Sequence, residues 1–140
     1  MVKEEVLQWG EGMNILILCT GNSCRSQIAE GLFRKHLGKG HNVYSAGIEA
    51  HGVNPNAIET MAAIGIDISN HTSDTIDTLP QIEFDYVLTV CDNAKERCPI
   101  LPGNHKKLHH SFRDPASATG TKEEVAAIFA TVRDEIDEYA

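Results

Sequence analysis

The run Ile15-Leu16-Ile17-Leu18 constrains this chain more than any other stretch. It is continuously apolar, which is the pattern of a strand buried on both faces of a parallel sheet. Helical patterns then alternate with further strands. Ile28, Ala29, Leu32, Phe33 and Leu37 lie on one helical face, with Gly38 suited to stop it. Val43-Tyr44-Ser45-Ala46-Gly47 reads as a second short strand. Asn54 followed by Pro55 predicts a helix start, continued by Ile58, Met61, Ala62 and Ile64 until Gly65. The polar segment Ser69 to Asp74 opens a short helix near Thr75 in this reading. Tyr86 to Val90 is a third buried strand, and a fourth is expected near Lys107 to His110. Thr121-Lys122-Glu123-Glu124 is a capping box. Val125, Ile128, Phe129, Val132 and Ile136 then mark an amphipathic last helix. The alternation predicts an α/β fold, a four-stranded parallel sheet flanked by helices on both faces.

Length and charge narrow the function classes. The 140 residues fit one domain, read as residues 13–140 behind an acidic, polar extension of residues 1–12. That extension has no secretory apolar core, and no run approaches the roughly 20 apolar residues needed to span a bilayer. A cytoplasmic, monomeric protein is expected, with no membrane partner. The net charge of −8 argues against a nucleic-acid partner, because phosphate backbones call for a basic face. An acidic protein that binds an anion must use a local device, such as backbone N–H groups and one arginine.

The segment Cys19-Thr20-Gly21-Asn22-Ser23-Cys24-Arg25-Ser26 supplies that device between the first strand and the first helix. A strand-to-helix loop directs several N–H groups at one point, and the helix dipole adds positive potential there. A phosphate-sized oxyanion fits such a nest. Gly21 allows unusual backbone angles, and Asn22 tolerates left-handed geometry. Arg25 offers a planar fork for two oxygens, and Ser26 can donate to the Cys19 sulfur. The same field favours a thiolate at Cys19, since helix N-termini and cations lower a thiol pKa from about 8.5. The Gly-Lys-Ser/Thr of a nucleotide-binding loop is missing.

Cys19-Thr-Gly-Asn-Ser-Cys-Arg-Ser-Gln-Ile-Ala-Glu30 resembles the active-site loop of low-molecular-weight protein tyrosine phosphatases. More closely, it resembles the thioredoxin-coupled arsenate reductases built on that fold. The resemblance continues through Tyr44 to Gly47, Ile68 to Asp74, Val90-Cys91, Cys98-Pro99 and Asp114-Pro115. It implies that Cys19, Cys91 and Cys98 form a thiol–disulfide relay, with thioredoxin as external reductant and arsenate or a phosphate-like oxyanion as substrate. A phosphatase needs only Cys19, because water resolves a cysteinyl-phosphate. A reductase needs a second thiol and an outlet for the disulfide. The spacings Cys19 to Cys24 and Cys91 to Cys98 are not those of zinc sites. Cys24 reads as a packing residue that helps line the loop.

Asp114 is expected to be the general acid for the leaving oxygen, its geometry restrained by Pro115. No aromatic residue follows the Asp-Pro pair, whereas phosphatases of this fold generally wall their phosphotyrosine cleft there. Residual phosphatase activity is compatible with the same loop, and a phosphatase is the alternative reading. His109-His110 reads as a surface or strand-edge pair. Some reductases of this family hold a potassium ion near the loop. The matching positions are Asn22, Glu30, Ser45, Thr72 and Asp74, all oxygen-bearing as a hard cation prefers. The same residues would equally serve as a hydrogen-bond network supporting the loop, with Thr72 capping a helix.

Overall fold

The computed structural model describes residues 13–19, 24–37, 41–47, 52–75, 84–90, 106–110, 112, 115 and 119–139. Four strands are seen: β1 (Asn14–Cys19), β2 (Asn42–Gly47), β3 (Tyr86–Thr89) and β4 (Lys106–His109). Among the described residues three helices accompany them: α1 (Arg25–Leu37), α2 (Pro55–Ala62) and α3 (Lys122–Tyr139). The strands form one sheet in the order β2-β1-β3-β4, every pair parallel. The chain therefore winds from β1 to β2 on one side and returns to β3 on the other. The C-terminal edge of β1 is the switch point, where open parallel sheets leave a crevice for ligands.

Pairing explains the apolar run. Ile15 pairs with Val43 and Tyr86, and Ile17 with Ser45 and Leu88, so these side chains share one face. That face carries α1, because Ser45 donates to Glu30 on the helix. Leu16, Leu18 and Val87 point the other way and are equally buried. Both faces of the central strand are covered, as the unbroken run of apolar residues requires.

The helices form where the periodicity places them. Ile28, Ala29, Leu32, Phe33 and Leu37 of α1 are all buried. Gly31 faces α2 closely: a Cβ there would lie 2.9 Å from Met61 Cε and 3.0 Å from Ile68 Cγ2. Asn54 caps α2, accepting from Asn56 N at 2.8 Å, and Pro55 stands in the first turn. The helix ends at Ala62, earlier than its apolar pattern implied. Gly65 follows in a turn at φ 81°, which glycine adopts without strain. Thr121 caps α3 by accepting from Glu124 N at 3.2 Å, and Phe129, Val132 and Ile136 are its buried stripe. Arg133 ties α3 to α2 by donating to the Thr60 carbonyl at 2.9 Å. His36 and Asp137 join α1 to α3 at 2.5 Å. Thr75 forms an isolated parallel bridge with Gly47. Residues 69–75, expected to open a short helix, are not helical, while residues 76–83, the extension of residues 1–12 and the Gly38 stop lie outside the described residues.

Candidate active site at the C-terminal edge of β1

Cys19 is the last residue of β1, paired with Gly47 and buried. Its strand is held on the other side by Val90, whose N–H donates to the Leu18 carbonyl at 3.0 Å. Val90 and Leu18 are the residues just before Cys91 and Cys19 in the sequence. The carbonyl of Cys24 accepts from Ile28 N at 2.9 Å and so starts α1. The N-terminus of a 13-residue helix thus follows the cysteine loop, and its first turn carries no acidic residue. That is the polarity an anion requires. Cys24 is buried, and Ser26 is completely so.

Arg25 is the first residue of α1, and its Nη1 donates to the Phe112 carbonyl at 3.1 Å. Phe112 is in turn fixed to the sheet, since its N–H donates to the Val90 carbonyl at 3.1 Å. Its ring is buried and stacks on His110, with centroids 4.4 Å apart at 24°. Tyr139, the last residue of α3, meets His110 at 4.4 Å and Phe112 edge-on at 5.8 Å. His110 was expected to be a plain surface or edge residue; it is exposed, yet it belongs to this ring cluster. A cavity of about 370 Å³ is lined by His110, Phe112, Tyr139, Glu135 and Glu138. Burial pushes the Tyr139 phenol above its ordinary value.

A polar network joins α1, β2 and residues 71–74, with Gln27, Glu30 and Ser45 buried. Glu30 accepts from Ser45 Oγ at 2.7 Å and faces His71 Nε2 at 3.2 Å and Arg34 Nη2 at 3.3 Å. Gln27 Nε2 donates to the Thr72 carbonyl at 2.9 Å, which turns its oxygen toward His71 Nδ1 at 3.0 Å. Both His71 ring nitrogens thus face oxygen acceptors, Nδ1 the Gln27 amide and Nε2 the Glu30 carboxylate. Burial lowers the basicity of His71, while the Glu30 carboxylate opposes that shift. Thr72 Oγ1 donates to Asp74 Oδ2 at 2.8 Å, so its hydroxyl is engaged with that carboxylate. Asp74 also accepts through its backbone carbonyl from Gly47 N at 2.9 Å.

The expected ion-site residues thus appear as two hydrogen-bonded pairs, Ser45 with Glu30 and Thr72 with Asp74. Gln27, His71 and Gly47 tie the pairs together. Among the described residues, no group of three or more His, Cys, Asp or Glu side chains is arranged to hold a metal. Thr20, Gly21, Asn22, Ser23, Cys91, Cys98 and Asp114 lie outside the described residues. The sequence pattern did not single out Gln27, His71 or Phe112. Gln27 and His71 sit inside the matched motifs and could have been read from them. Phe112 acts through its carbonyl, which every residue type possesses.

A parallel sheet with a cysteine at its switch point and an arginine opening the next helix defines a class. The chain belongs to the low molecular weight phosphotyrosine protein phosphatase family, whose model matches residues 14–140. Within that family, the chain is 58% identical over 122 residues to an arsenate reductase of Halalkalibacterium halodurans, covering 87% of this chain and 88% of that one. It superposes on a solved arsenate reductase in the phosphate binding state with a TM-score of 0.72 at 32% identity, covering 91% and 92% of the two chains. An arsenate reductase solved in an oxidized state gives a TM-score of 0.75 at 31% identity, covering 90% and 92%.

Proposed function

We propose that this chain is an arsenate reductase working through a three-thiol relay, with residues 13–140 as one catalytic domain. Cys19 is the nucleophile. Its thiolate displaces an oxygen of arsenate as water or hydroxide and forms a sulfur–arsenic bond, with Asp114 protonating the leaving oxygen. Arg25, Ser26 and the groups of Thr20 to Cys24 hold the anion. Cys91 then attacks the Cys19 sulfur. The sulfur–arsenic electron pair passes to arsenic, arsenite leaves, and two thiols have become a disulfide. Cys98 attacks Cys91 and frees Cys19. An external dithiol such as thioredoxin reduces the Cys91–Cys98 bond. The balance is one arsenate and one dithiol giving one arsenite, one disulfide and one water.

The observation that carries this reading is the hydrogen bond from Val90 to Leu18 at the switch point. It joins the two strand ends that lead into Cys19 and Cys91. High identity to arsenate reductases and the presence of all three cysteines support it further. A relay of free thiols suits a reducing compartment, so the cytoplasm is the expected location, with the chain acting as a monomer. No helix among the described residues is long and apolar enough to cross a membrane.

Single Cys→Ser variants test the relay. Cys19→Ser, Cys91→Ser and Cys98→Ser each lose thioredoxin-coupled turnover. Cys91→Ser and Cys98→Ser keep any phosphatase activity, and Cys19→Ser loses it. A Cys91→Ser variant with undiminished arsenate reduction would mean that an external thiol resolves the Cys19 adduct, and the three-thiol relay would fail. Potassium, held by Asn22, Glu30, Ser45, Thr72 and Asp74, would neutralise the two carboxylates beneath the loop. Its expected signature is a higher melting temperature in potassium than in sodium chloride, and equal melting in both salts excludes it.

A further inference from the structure

Arg25 can clamp an oxyanion with two parallel N–H bonds only if its guanidinium plane is held in one orientation. The donor that reaches the Phe112 carbonyl fixes part of that orientation, and a hydrogen bond to a charged group is stronger than a neutral one. The carbonyl itself is aimed by two constraints. On the backbone, Phe112 N–H is bonded to Val90 and His110 N–H to Thr89, which extends the β3–β4 pairing past the strand end. On the side chain, the Phe112 ring is wedged against His110 and Tyr139. Tyr139 sits at the end of α3, whose Phe129, Val132 and Ile136 anchor it in the core.

We propose that Phe112, clamped by His110 and Tyr139, is a positioning residue that aims Arg25 at the oxyanion. The assignment covers residues that neither touch the anion nor titrate in the reaction. It connects the far end of the last helix to the anion-binding loop through one ring cluster and one carbonyl. The same Phe112 backbone is bonded to Val90, the residue before Cys91.

The test uses inorganic phosphate, which binds without being reduced, in the reduced full-length chain. Its dissociation constant is measured by calorimetry, alongside protection of Cys19 from iodoacetamide. Phe112→Ala raises the phosphate Kd about tenfold, the loss of roughly one well-made charged hydrogen bond. Tyr139→Leu lies at the end of α3, distant in sequence from the loop, and raises Kd about threefold in the same direction. Phe112→Leu, which keeps a bulky apolar side chain, recovers part of the affinity. In an Arg25→Lys background the Tyr139→Leu effect disappears, because the planar fork it aims is gone. A purely structural role would lower the melting temperature of these variants while leaving phosphate Kd within twofold, and that result overturns the proposal. So does an undiminished Tyr139→Leu effect in the Arg25→Lys background. Phosphate affinity is read without arsenate turnover, so failure of the relay reading would leave this test intact.

Discussion

In the proposed site Arg25 stands in the first turn of α1, where the helix dipole and its own charge would act on an anion in the same direction. Lysine at that position keeps the charge and loses the fork. Arg25→Lys is therefore expected to weaken phosphate binding by about 10- to 100-fold while leaving the helix folded. Calorimetry on the reduced protein checks this, and unchanged affinity would mean that charge alone binds the anion. At this scale the sequence was informative in an uneven way. Cys19 and Arg25 stand out in the sequence because the chemistry proposed for them depends on residue type and spacing, and the structure puts them at the end of β1 and the start of α1. Ser45 and Glu30 were legible as oxygen donors, but their direct bond was not, because it joins a strand to a helix across 15 residues of sequence. Phe112 was illegible, since its contact with Arg25 is made by a backbone carbonyl.

Elements follow local rules wherever one face is buried against one partner. The stripe of α1 and the run of β1 were readable because burial repeats with the period of the backbone. Boundaries were less readable. The pattern of α2 continues to Ile64, yet the helix stops at Ala62, and Ile66 N bonds back to Met61 across the Gly65 turn. A periodic pattern reports burial, and Ile64 stays packed against the core after the helix has ended. Gly31 marks the closest approach between α1 and its neighbours. Gly31→Val would drive methyl groups into Met61 and Ile68, and overpacking of this kind costs about 1–3 kcal/mol. Urea unfolding should show that loss with an unchanged slope. A neutral or stabilising result would show that Met61 simply swings away.

For the molecule as a whole, the sheet order is what brings function together. Strand order β2-β1-β3-β4 could not be read from the alternation of elements, which fixes only the class. It sets the end of β1 beside the end of β3, and α3 closes over the same edge through Tyr139. The partly buried Tyr139 phenol links that closure to pH. The unfolded chain ionises this phenol near pH 10, whereas the folded chain keeps its proton to higher pH. The stabilising share is therefore complete below pH 10 and is lost as pH rises through the folded value. Tyr86, raised first by burial and then by Asp85, adds to the same alkaline slope. Tyr139→Phe should flatten that slope above pH 10, as followed by denaturation at a series of pH values, and an unaltered slope would show that the phenol does not report folding.

The most direct measurement of the central claim is a single-turnover reaction of the Cys98→Ser chain with excess arsenate, followed by disulfide mapping. The relay predicts about one arsenite per chain, a Cys19–Cys91 disulfide and no further turnover, because the outlet thiol is missing. The unaltered chain under the same conditions should end with Cys91–Cys98 instead. A Cys98→Ser chain that forms no arsenite, or forms it with Cys19 and Cys91 both still reduced, would contradict the account.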